Sequence, residues 1–246
     1  MSTVLSMKGL TIRTHERALV EGVSFDVLEG RVTAIVGHSG SGKSLSARAA
    51  MGVLDVDPGL AEGELRYPAL LGDKDLFEGI RGQGMRAQRR LLKATMTYRG
   101  SYVTYSPQSA SSALNPGRTI GQQLAMAIAR RQEPPASMGG AIRDVLAEVG
   151  LPPRAAYAIP AELSGGMAQR AAVAIAVAPN PRLLIADEPD TGLDPVLRRV
   201  VTELMLEVAS NHGVALMLIT HNMDTVERIA DDVVRIGPAN SEGGHD

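Results

Sequence analysis

The sequence predicts an α/β protein with a mostly parallel central sheet, and three observations lead there. Apolar runs at 32–36, 183–186 and 214–219 have the length and β-branching of strands covered on both faces. Helix formers or helix-start signals follow each of them. The first run also leads directly into Gly37-His38-Ser39-Gly40-Ser41-Gly42-Lys43-Ser44, which fits the phosphate-loop pattern G-x-x-x-x-G-K-[ST]. Strand, glycine-rich loop and helix are the context that pattern needs. A loop can bend its N–H groups around a phosphate only where no side chain intrudes, and a helix start adds free donors and a positive dipole end. Lys43 can then reach phosphate oxygens as a point charge, and Ser44 can ligate Mg²⁺.

Composition bounds the rest. The chain has 246 residues, 44% hydrophobic and 21% charged, an ordinary balance for a globular protein with a sizeable core. Its net charge is −2 without a long run of one sign, which does not suggest nucleic-acid binding driven by bulk charge. The absence of cysteine excludes disulfides, thiolate metal sites and cysteine nucleophiles. No apolar run approaches the roughly 20 residues of a membrane span, and the first residues lack the order of a secretory signal. Work at a membrane would therefore run through other subunits.

Residues 3–36 read as strands, with apolar Val4, Leu5, Met7, Leu10 and Ile12, a polar turn at 14–17, and alternating Val23, Phe25 and Val27. Between 55 and 108, glycines and Pro58 punctuate any long element; a short strand is expected at 64–67, a short basic helix at 86–95 and a strand at 101–105. The basic run on that helix reads as a solvated face covering an apolar neighbour. Residues 109–178 are expected to be helical. Thr119 is placed to cap one helix, Ser137 or Met138 to begin a second, and Ser164 to open a third. Asp194-Pro195 then starts a helix to about Asn211, Asn222 a short one, and a final strand follows at 233–236. The polar tail from Gly237 is expected to be loose.

Several stretches bear on chemistry. Asp187 and Glu188 end a buried strand, where one carboxylate can support Mg²⁺ and the next can take a proton from an attacking water. Taken alone they are an acidic turn. Leu163-Ser164-Gly165-Gly166-Met167-Ala168-Gln169-Arg170 supplies a second anion-binding helix start. Two such loops far apart in one chain fit a triphosphate best if a second copy presents one of them across an interface. His221 follows a buried strand and could donate to a γ-phosphate; Gln108 is a side-chain amide at a strand end; Asp194 reads first as a helix cap.

Together these motifs resemble the ATPase subunit of an ABC transporter, in the family's order and over essentially the whole chain. The Ser164-Gly165-Gly166 segment is the most specific part. The resemblance implies one phosphate-loop NTPase domain over 1–246. Within it, 1–108 and 180–246 would form the core with an antiparallel β subdomain, and 109–179 an inserted helical subdomain. It implies that residues 37–44 hold ATP, that Ser44, Gln108 and Asp187 serve Mg²⁺, and that Glu188 is the general base. His221 would contact the γ-phosphate and Gln108 would sense a membrane partner. Ser164, Gly165, Gly166 and Asp194 would meet the ATP held by the opposite subunit.

The stretch Leu114-Asn115-Pro116 after Gln108 is similar to importer ATPases for peptides and nickel. That subgroup implies a second, non-identical ATPase subunit, two transmembrane permease subunits, an external substrate-binding protein, no nucleic acid, and a peripheral place on the cytoplasmic face of the membrane. The alternatives are a soluble ABC-type ATPase acting as a mechanical factor, and an exporter ATPase. Neither tandem cassettes nor long coiled-coil insertions favour the first. Departures from the family are His15 where an aromatic often stacks on adenine, Asp190 where Thr is usual, and an end soon after the last strand, which points to a nickel-type or compact peptide-type subunit.

Overall fold

The computed structural model describes residues 2–108, 113–189 and 194–237. Two compact units make up the chain, one of Met1–Thr97 with Ile219–Asp246 and the other of 98–218.

In the first unit, β1 (Thr3–Thr14) pairs antiparallel with β2 (Ala18–Leu28) on one edge and β4 (Pro58–Arg66) on the other. The predicted apolar positions Leu5, Met7, Leu10 and Ile12 and the alternating Phe25 and Val27 enter the core, where Leu60, Leu65 and Tyr67 join them. β4 runs straight through Gly59 and Gly63, residues that sequence alone reads as breaks. They serve close approach instead: a Cβ on Gly63 would lie 2.8 Å from the Leu10 Cα, and one on Gly59 would lie 2.4 Å from the Gln88 amide. β3 (Val32–Val36) pairs in parallel with β8 (Asp232–Arg235), in a register from Thr33↔Asp232 to Val36↔Arg235. α1 (Lys43–Ala50) follows β3, α2 (Pro68–Leu71) is a single turn, and α3 (Gly84–Ala94) is the basic helix. α3 buries Ala87, Gln88 and Leu91 while Arg86, Arg89, Arg90 and Lys93 face solvent, the solvated face expected of it.

The second unit carries parallel β5 (Val103–Ser106) and β6 (Leu183–Asp187), with Val103 opposite Leu183 and Ser106 opposite Ala186, and then β7 (Ala215–Ile219). All residues of β6 and β7 are buried, as their unbroken apolar runs require. Helices α4 (Ile120–Ile128), α5 (Met138–Glu148) and α6 (Gly165–Val177) form the predicted helical stretch, and α7 (Pro195–His212) leads into β7. α8 (Met223–Ile229) belongs to the first unit.

The caps are the ones the sequence offers. Thr119 Oγ1 accepts the Gln122 N–H at 3.2 Å and Gln122 Oε1 accepts the Thr119 N–H at 3.0 Å, a complete capping box. Thr119→Ala is expected to cost about 0.5–2 kcal/mol, read as a lower urea midpoint at unchanged slope. Ser137 and Ser164 cap α5 and α6 through their hydroxyl oxygens alone, accepting from the Gly140 and Met167 amides.

Candidate functional site

The glycine loop lies between β3 and α1, so the strand delivers the chain into a turn that the helix N-terminus closes. Its glycines are dictated by contact as well as conformation. A Cβ on Gly37 would sit 2.3 Å from the Ile236 carbonyl oxygen and 2.7 Å from Ser41 Oγ. Gly42, at φ 90°, faces Val20 and Leu19 of β2 so closely that a Cβ would meet them at 2.5 and 2.7 Å. Lys43 is 5% exposed; its ammonium donates to the Gly37 carbonyl at 3.0 Å and the His38 carbonyl at 2.9 Å. Ser41 N–H donates to the His38 carbonyl at 3.2 Å, which tightens the turn, while the buried Ser41 hydroxyl oxygen has no hydrogen-bond partner. A glycine loop with no room for a Cβ at Gly37 or Gly42, a buried ammonium and an orphaned hydroxyl fits a polyphosphate anion.

The same unit holds His221. Thr220, fully buried after β7, donates its N–H to the Ile35 carbonyl of β3 at 3.3 Å and accepts the Asn222 N–H on its hydroxyl at 3.0 Å. Asn222 Oδ1 in turn caps α8 by accepting from Thr225 N–H at 3.3 Å. His221 is thus the exposed residue of a turn fixed on both sides. His15 is also exposed, with Nε2 3.4 Å from Asp57 Oδ2.

In the second unit the buried Asp187 ends β6, and its Oδ2 accepts a hydrogen bond from the Tyr105 phenol at 2.7 Å. Glu188 follows with φ 47°, the left-handed region, unusual for a residue with a Cβ. Pro189 closes the turn, and its carbonyl accepts from Gln169 Nε2 of α6 at 3.1 Å. Ser164 and Gly165 are exposed at the start of α6. Asp194 begins α7, its backbone carbonyl accepting from Arg198 N–H at 2.9 Å. Gln108 is exposed past β5, and the Leu114-Asn115-Pro116 stretch beyond it is pinned by α4: Gln123 donates to the Asn115 and Arg118 carbonyls, both at 3.1 Å. Asp190, Thr191, Gly192, Leu193, Ser112 and the tail beyond Gly237 lie outside the described residues.

The structure therefore gathers 37–44 and His221 in one unit, and Gln108, 164–166, Asp187, Glu188 and Asp194 in the other. Sequence reasoning passed over Tyr105 and Gln169 as partners of the carboxylate turn. The signal for Gln169 was a polar residue heading an otherwise small and apolar buried helix face; Tyr105 left none. A separate groove of about 700 Å³ is lined by charges, among them Lys8, Glu62, Glu64, Arg66, Asp75 and Arg81. Those charges largely answer one another, Arg81 pairing with Asp75 and Arg66 with Glu64. Lys8 pairs with Asp26; burial alone would raise the Asp26 carboxyl, but hydrogen bonds from Lys8 and Ser6 and the Lys8 charge hold it below its ordinary range. The groove carries none of the motif residues.

A parallel strand delivering a glycine cradle to a helix start defines a phosphate-loop fold. The sequence pattern of the ABC transporter family matches residues 20–191. The chain belongs to the ABC transporter family. It is 37% identical over 226 residues to the dipeptide transport ATP-binding protein DppD of Escherichia coli, covering 87% of this chain and 62% of that one. To the nickel import ATP-binding protein NikD of Rhodospirillum rubrum it is 35% identical over 237 residues, covering 93% and 82%. The chain thus spans under two thirds of the dipeptide relative's length. Among solved structures, cbiO1 from Clostridium perfringens, described as part of the ABC transporter complex cbiONQ, has the same fold, with a TM-score of 0.74 at 21% identity over 96% of this chain and 85% of that one.

Proposed function

We propose that this chain is the ATP-hydrolysing subunit of an importer and energises uptake of peptides, or of nickel and metal chelates, through membrane partners. The observation that carries the reading is the buried Lys43 ammonium inside the glycine cradle. The family, and relatives named for dipeptide transport and nickel import, supply the direction. The working assembly is this chain beside a similar, non-identical ATPase subunit, with two transmembrane permeases and an external binding protein, on the cytoplasmic face of the membrane. Among the described residues no helix is long and apolar enough to cross a membrane. Residues 1–246 act as one ATPase domain with 109–179 as its helical subdomain.

ATP is the substrate. Lys43 exchanges two carbonyl partners for phosphate oxygens, and the loop N–H groups with the α1 start orient the chain of phosphates. Ser44, Gln108 and Asp187 offer only oxygen donors, the kind Mg²⁺ takes. When bound there, the ion neutralises charge building on the phosphates. Glu188 accepts the proton of the attacking water, and His221 donates to the γ-phosphate. Ser164, Gly165 and Gly166, with Asp194, close over the ATP of the neighbouring subunit. Co-purification with permease subunits, followed by Mg²⁺-dependent hydrolysis stimulated by a loaded binding protein, is the expected result. Recovery of ribosomes alone would overturn the reading.

A further inference from the structure

We infer that Tyr105 and Gln169 are positioning residues that hold the Asp187–Glu188–Pro189 turn from two sides, and that Gln169 makes the signature helix and the general base one mechanical piece. This rests on the ATPase reading above. Glu188 adopts φ 47° without being Gly, Asn or Asp, so its own sequence does not favour the conformation. Such a backbone persists only where its surroundings over-determine it. The surroundings here are specific. On one side the Tyr105 phenol, on the neighbouring strand and in register with Ile185, donates to Asp187 Oδ2 at 2.7 Å. On the other, Gln169 Nε2 donates to the Pro189 carbonyl at 3.1 Å. Gln169 is 4% exposed, so its bond is made away from competing water.

The placement of Gln169 gives the contact a second meaning. It lies on α6, whose first turn is Ser164, Gly165 and Gly166. A movement of that helix start, on meeting the neighbouring subunit's nucleotide, is passed through one side-chain amide to the peptide beside Glu188. Occupancy of one site is thereby reported to the base of the other.

The test uses the full chain in its transport complex. Gln169→Met keeps volume and removes the donor; Gln169→Asn keeps an amide but falls a methylene short; Tyr105→Phe removes only the phenol oxygen. Each Gln169 variant is expected to lower kcat for ATP by about 10- to 100-fold, since small misplacement of a catalytic group is costly, with KM for ATP and Tm unchanged. Tyr105→Phe is expected to raise the Mg²⁺ concentration needed for half-maximal rate. Hydrogen–deuterium exchange, which needs no hydrolysis, is expected to rise in the 183–189 peptide for all three. Unchanged exchange there and unchanged kcat would overturn the proposal, as would a fall in kcat matched by an equal rise in KM. A wild-type complex without ATPase activity would sink the ATPase reading instead, and the exchange result alone would then decide whether these side chains hold the turn.

Discussion

Replacing Glu188 by glutamine is expected to leave ATP binding intact and to slow hydrolysis by about 10²–10⁴-fold, the span a general base contributes. The substitution keeps shape and removes only the basic oxygen. It therefore separates proton abstraction from the positioning of the turn, whose anchors at Asp187 and Pro189 are untouched. Single-turnover hydrolysis of radiolabelled ATP beside a fluorescent-nucleotide titration measures both quantities. ATP retained at wild-type affinity with turnover lost supports the role given to Glu188. Wild-type turnover in the variant removes it.

Lys43→Ala is expected to weaken ATP binding by about 100-fold or more, because charge-assisted hydrogen bonds contribute about 1.5–3 kcal/mol each. The folded chain loses less. Lys43 gives up its bonds to the Gly37 and His38 carbonyls, but the close approach of the loop to Ile236, Leu19 and Val20, which Gly37 and Gly42 permit, does not depend on it. A fluorescent nucleotide titration reads the affinity and thermal denaturation the stability. A loop that collapsed would lose both together; a loop that merely lost its phosphate charge loses the first far more than the second. Retained affinity would show that the ammonium is structural.

Much of this architecture could be read before any coordinates, for reasons visible in particular residues. The unbroken apolar runs of β6 and β7 are strands covered on both faces, and every one of their residues is buried. Thr119 reads as a helix cap from its place before the apolar run, and it caps α4, with Gln122 completing a box. Local signals of this kind survive because they depend only on near neighbours. Gly59 and Gly63 misled for the opposite reason. Their meaning lies in Gln88 and Leu10, remote in sequence, whose approach they permit within β4.

The candidate site divides along the same line. The phosphate loop, the signature, the carboxylate pair and His221 are contiguous words, so each was legible. What orders them was not. Tyr105 reaches Asp187 across 82 residues through the β5–β6 register, and Gln169 reaches Pro189 across 20 through the docking of α6. The left-handed Glu188 is invisible in sequence, since nothing about a glutamate advertises a positive φ.

The central claim is that residues 37–44 form half of an ATP site, completed by residues 164–166 of another subunit. The most direct measurement is the ATPase rate per mole of chain as total subunit concentration, with its partner present in equal amount, is lowered until the assembly dissociates. The account predicts that specific activity falls toward zero with the paired species. A specific activity that stays constant into the monomer range would contradict it.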